Sequence, residues 1–79
     1  MTKERKEALL VFLNQAKGLF EPAQDMATMA DRPEDLKKIK QILRLHDKAI
    51  AELQKEETNE ALFEKTMNKI QKLIETLQK

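Results

Sequence analysis

Cysteine, serine, tryptophan and tyrosine are all missing from these 79 residues, and there is one glycine. Each absence removes a class of chemistry. Without cysteine there are no disulfides and no thiolate metal sites, and the lack fits a reducing compartment. Without serine there is no serine nucleophile. A single glycine cannot build a glycine-rich loop whose backbone N–H groups cradle a phosphate. Without tryptophan or tyrosine, platforms on which bases stack are wanting. No apolar run approaches the roughly 18 residues that a membrane span needs. The longest, Ala8 to Leu13, is short and lacks a small-residue cleavage site, so no signal peptide is expected and the cytoplasm is the default location.

What remains favours helix. Leucine, lysine, glutamate, glutamine and alanine dominate, all strong helix formers. A hydrophobic content of 41% is enough for a core rather than disorder. No strand-like alternation and no long repeat is present. The chain length allows one domain, and a core this small depends on regular helix packing or self-association.

Apolar spacing and end signals predict three helices. The first covers about 3–20, with Thr2 as N-cap and Leu9, Phe12, Leu13, Ala16, Leu19 and Phe20 as its core face. Leu10 and Val11 fall off that face. Pro22 ends or kinks this helix, and 22–30 is a connector or short helix rich in alanine and methionine (Ala23, Met26, Ala27, Met29, Ala30). Such a segment either packs as a connector or offers a compliant binding surface. Asp31-Arg32-Pro33-Glu34 has the spacing of a capping box, with Asp31 as the cap of a second helix over about 32–56. Thr58 or Asn59 caps a third over about 59–78, whose stripe is Leu62, Phe63, Met67, Ile70, Leu73, Ile74 and Leu77, with Thr66 among them. The expected fold is all-α: an antiparallel three-helix bundle, with two hairpins paired into a dimer as its rival.

His46, the only histidine, occupies a core slot of the second helix. Leu36, Ile39, Leu43, Ile50 and Leu53 recur at spacings of three and four, and His46 fills the gap. It lacks what catalysis or metal binding needs. Asp47 points about 100° away on a helix and cannot orient the ring, and no histidine or carboxylate stands three or four residues off. A phosphoacceptor would have to face solvent. His46 is therefore read as a buried or interface histidine, partnered across the core by Asn14, Gln15 or Thr66. No cofactor or metal is expected, and no enzyme activity.

Net charge is +1, yet charge comes in blocks. Acids gather near helix starts and bases nearer helix ends, as the macrodipoles favour. Lys37, Lys40, Arg44, Lys48 and Lys55 form a basic stripe on the second helix, and Lys65, Lys69, Lys72 and Lys79 form another on the third. Such stripes can track phosphates, although lysines on a bundle exterior are ordinary. The expected function is a small protein-interaction module that binds or inhibits another protein or associates with itself as a homodimer. Leu10, Val11, Met26 and Met29 are its interface candidates. The alternatives are nucleic-acid binding through Lys37, Lys40, Arg44, Lys48 and Lys55, and a scaffold role in a larger assembly. Binding to a membrane surface is not favoured.

Overall fold

A computed structural model describes residues 1–77 as three helices: α1 (Lys3–Met29), α2 (Pro33–Leu53) and α3 (Glu60–Leu77). No strand occurs among the described residues, and the all-α expectation stands. The stripes predicted for Lys79 and the end of α3 beyond Leu77 lie outside the described residues. The molecule is elongated, 42 × 19 × 16 Å, because α1 alone runs for 27 residues.

The first correction concerns Pro22. It neither ends α1 nor opens a separate element over 22–30; one helix continues through it to Met29. A proline inside a helix removes one N–H and crowds the carbonyl four residues earlier. Here that residue is Gly18, and both residues face solvent, so water can take over the freed carbonyl.

The second correction concerns Asp31, which terminates α1 rather than starting α2. Its φ of 53° is left-handed. The Asp31 N–H donates to the Thr28 carbonyl at 3.2 Å and the Arg32 N–H to the Ala27 carbonyl at 3.0 Å. This bond pair is the Schellman closure of a helix end. Arg32 then occupies the N-cap of α2 without a side-chain cap, Pro33 opens the helix, and no capping box forms. At the other predicted boundaries Thr2 caps α1, its hydroxyl accepting the Arg5 N–H at 3.2 Å. Asn59 caps α3, its side-chain carbonyl accepting the Leu62 N–H at 3.1 Å. Helix α2 stops at Leu53, short of Glu56.

Helix α2 is the centre of the fold, and α1 and α3 each pack on it. Contacts ascend α1 as they descend α2: Lys6 reaches the Lys55 and Glu56 carbonyls, Lys17 reaches Asp47, and Phe20 reaches His46. The buried row of α2 is Ile39, Ile42, His46, Ala49 and Leu53. Ile39, His46 and Leu53 of the expected stripe belong to it, while Leu36, Leu43 and Ile50 are half-buried on its flank. A helix held between two others buries a wider arc than a single stripe, so Ile42 and Ala49 become central. Leu13 from α1 and Phe63 from α3 close on Ala49 and Leu53, with Leu9, Leu10, Ile50 and Met67 around them.

His46 is 2% exposed, as its place in the pattern implied. Its partner is none of the three expected. Its Nδ1 lies 2.8 Å from the Ile42 carbonyl of its own helix, where a protonated Nδ1 donates. Its ring centroid is 5.7 Å from that of Phe20. Asn14 and Thr66 likewise donate to carbonyls one turn back, at Leu10 and Leu62.

Candidate interaction surface

The core face predicted for α1 is only partly buried. Leu13 is fully buried, and Leu9, Ala16 and Phe20 are half-buried. Phe12 and Leu19, by contrast, are 57% and 76% exposed. The seam that meets α2 is Leu9, Leu13, Ala16, Phe20, Ala23 and Ala27, alternating steps of four and three through Pro22. Phe12 and Leu19 belong to a second seam beside it. Among the described residues α1 and α3 make no close backbone approach to one another, so no helix covers this second seam.

The four candidates separate accordingly. Leu10 is not on the free surface; it packs against the core cluster. Val11 is 57% exposed, Met26 69% and Met29 87%. With Phe12 and Leu19 they form an apolar stripe along most of α1. Phe12, Leu19 and Met26 recur every seven residues, the interval that keeps side chains in line along a supercoiled helix pair. That regularity was present in the sequence, but Pro22 masked it by suggesting that the helix stopped.

Small hollows lie beside both ends of α1. Near the start of α1, Met1, Arg5 and Leu9 face Glu60, Phe63, Glu64 and Met67, and the Met1 ammonium pairs with Glu60 at 2.9 Å. At the far end Ala23, Met26 and Ala27 face Ile39 and Leu77 around a hollow of about 300 Å³ that Arg32 and Asp35 also line.

The basic stripe of α2 is also exposed. Lys37, Lys40, Gln41 and Arg44 line an open hollow of about 380 Å³, and Lys48 follows on the exposed side. Lys55 stands apart from them, since its ammonium is 2.8 Å from Glu52. Lys17 is held by Asp47 at 2.7 Å, and that hydrogen bond raises its pKa above the ordinary lysine value.

Sequence reading missed Glu52. It is 6% exposed, and it takes the Lys55 ammonium on one carboxylate oxygen and the Asn59 N–H on the other. The Thr58 hydroxyl adds a bond to the Glu52 carbonyl at 3.3 Å. Lys55, three residues on, is the only part of this cluster that helix spacing could have signalled.

No group of three or more histidine, cysteine, aspartate or glutamate side chains suited to a metal occurs among the described residues. No described helix is long and apolar enough to cross a membrane. No protein-family model matches this chain, and no curated protein or solved structure is significantly similar to it.

Proposed function

We propose that this chain is a non-enzymatic protein-interaction module of the cytoplasm that binds or inhibits another protein through the outward seam of α1. The observation behind this reading is the row Val11, Phe12, Leu19, Met26 and Met29, every member more than half exposed on one continuous helix. Large apolar side chains scattered singly over a surface need no explanation, whereas a contiguous row does. Methionine, flexible and polarizable, suits a surface that adapts to a partner. Leu10 drops out of the interface set, and Phe12 and Leu19 enter it.

Affinity capture from source-cell lysate tests this reading, with nuclease present and with wild type beside Leu19→Lys/Met26→Lys. A stoichiometric protein held by the wild type and lost by a variant of unchanged helicity is the expected result. A partner held equally by both sinks the assignment of the surface.

The second reading is nucleic-acid binding by Lys37, Lys40, Arg44 and Lys48, favoured by the hollow that the first three share. Recovery that vanishes with nuclease, and binding that weakens steeply with salt, would support it. A scaffold role comes third. It predicts self-association with no foreign partner.

A further inference from the structure

We infer that the outward sides of α2 and α3 join into one basic surface that binds double-stranded nucleic acid along its phosphates. The inference rests on the second functional reading, enlarges its surface and names the form of its ligand. It is independent of the α1 seam.

Two stripes that stand apart in the sequence meet in the fold. At about 100° per residue, Lys37, Lys40, Arg44, Lys48 and Lys55 fall within about 80° of arc on α2, opposite the buried Ile39, His46 and Leu53. Pro33, Gln41 and Ala51 share that sector, and no acid does. On α3, Glu60 and Glu64 face α1. Lys69 lies about 140° from Glu64, across the buried Phe63 and Ile70, so it turns away from α1 and toward the side of the α2 stripe. Phe63 closes on Ala49 and Leu53, and Leu77 lies opposite Ile39. Those two levels set Lys69 abreast of Arg44 and Lys48. Lys65 stands about 40° further round, and Lys72 turns to the back of α3.

The cations of this surface are unpaired and the acids beside it are taken. Lys37, Lys40, Arg44, Lys48, Lys65 and Lys69 are exposed, and none forms an ion pair among the described residues. Asp47, about 20° beyond Lys40, is held by Lys17. Glu52, about 40° beyond Lys48, is bound by Lys55 and the Asn59 N–H. Glu21, on the adjoining side of α1, acts on Lys17. Exposed Glu34 marks one end of the surface, and Glu56 and Glu57 the other. Lys40, Arg44 and Lys48 follow at steps of four, so like charges stack along the helix, which works against its own stability.

A polymer of fixed negative charge relieves that repulsion. Lys40, Arg44 and Lys48 rise about 6 Å apart along α2, and Arg44 between them can grip two oxygens of one phosphate. Phe12, Phe20 and Phe63 all lie elsewhere, and there is no tryptophan or tyrosine, so unpaired bases find no ring to stack on. A duplex, with bases inward and phosphates outward, needs none. The α2 sector carries no large apolar side chain to insert into a lipid surface.

The test is fluorescence anisotropy with a short labelled DNA duplex of mixed sequence, the matching RNA duplex, and the DNA single strand. Duplex binding at least tenfold tighter than single-strand binding is expected, unchanged when the sequence is scrambled. Tighter binding of either duplex supports the inference and names the ligand. Contact with about four or five phosphates gives a slope near −4 for log affinity against log salt, so affinity should fall more than about 100-fold between roughly 50 and 200 mM salt. Lys69→Gln should reduce that slope by about one, and Lys40→Gln/Arg44→Gln/Lys48→Gln by about three. Glutamine keeps the helix propensity of lysine and arginine, so these variants fold. Arg5→Gln removes one charge from the opposite side, where α1 faces α3, and should leave the slope unchanged. Equal or tighter binding of the single strand, no duplex binding at the lower salt, or an Arg5→Gln loss equal to that of Lys69→Gln overturns the inference. So does capture by phosphatidylserine vesicles without duplex binding. If the triple variant flattens the slope and Lys69→Gln does not, the joined surface fails while the α2 reading stands. If neither variant changes it, both fail.

Discussion

The Glu52 carboxylate spans the α2–α3 turn to accept the backbone N–H of Asn59 at 2.8 Å. Asn59 is the residue that caps α3, so one buried acid ties the end of one helix to the start of the next.

That tie is sensitive to acid. The Lys55 ammonium first, and the Asn59 N–H second, hold the Glu52 carboxyl below its ordinary pKa of 4.5. A carboxyl with a depressed folded pKa contributes stability above its unfolded pKa and loses it as pH falls through the folded value. The wild-type thermal midpoint should therefore drop as pH falls below 4.5. Glu52→Gln should melt lower than wild type near neutrality and show a shallower acid slope. Circular-dichroism melts across this range read both, and parallel slopes would refute the assignment.

His46 is expected to be replaceable by an apolar residue of its size. Its ring bonds to the Ile42 carbonyl, which already serves the helix ladder, so removing the ring orphans no backbone group. His46→Leu should change stability by less than about 1.5 kcal/mol. His46→Ala leaves a void against Phe20 and should cost about 2–4 kcal/mol. Urea denaturation separates the two. A leucine variant as damaged as the alanine one would mean that the imidazole has a role that packing does not explain.

Asp31→Gly should stabilise the protein. The residue sits at φ 53°, where a side chain costs roughly 1–2 kcal/mol and glycine is the usual occupant of a helix end. An acid there also opposes the negative end of the α1 dipole. A gain of about 1 kcal/mol in chemical denaturation is expected, while Asp31→Ala gains less, because it relieves the charge but retains the Cβ.

Gly18→Ala should also stabilise. A methyl at this position meets nothing within 4 Å. In the interior of a helix the exchange is worth about 0.5–1 kcal/mol. A loss instead of a gain would show that the crossing of Pro22 depends on the glycine four residues before it.

Local signals carried most of the secondary structure. The caps at Thr2 and Asn59, the opening proline at Pro33 and the burial of His46 were all legible, because each depends on neighbours within a turn or two. Pro22 and Asp31 were not. Proline lowers the chance of helix without forbidding it, and its cost falls when the crowded carbonyl can turn to water. Asp31 fits an N-cap and a left-handed C-terminal position equally well by residue type, and only the path of the chain chose between them.

The sequence by itself determined an all-helical chain, three apolar stripes and a chemistry without thiols, serine nucleophiles or glycine-rich loops. Those properties follow from composition and from a period set by backbone geometry. Which side of each stripe became core was decided by tertiary structure. Two seams of similar apolarity run side by side on α1, and α2 covers one. Leu10 is drawn inward while Phe12 and Leu19 remain outside, because burial is a property of the neighbour that arrives and not of the side chain alone. The same reason hid Glu52, whose partner Asn59 lies across a chain reversal.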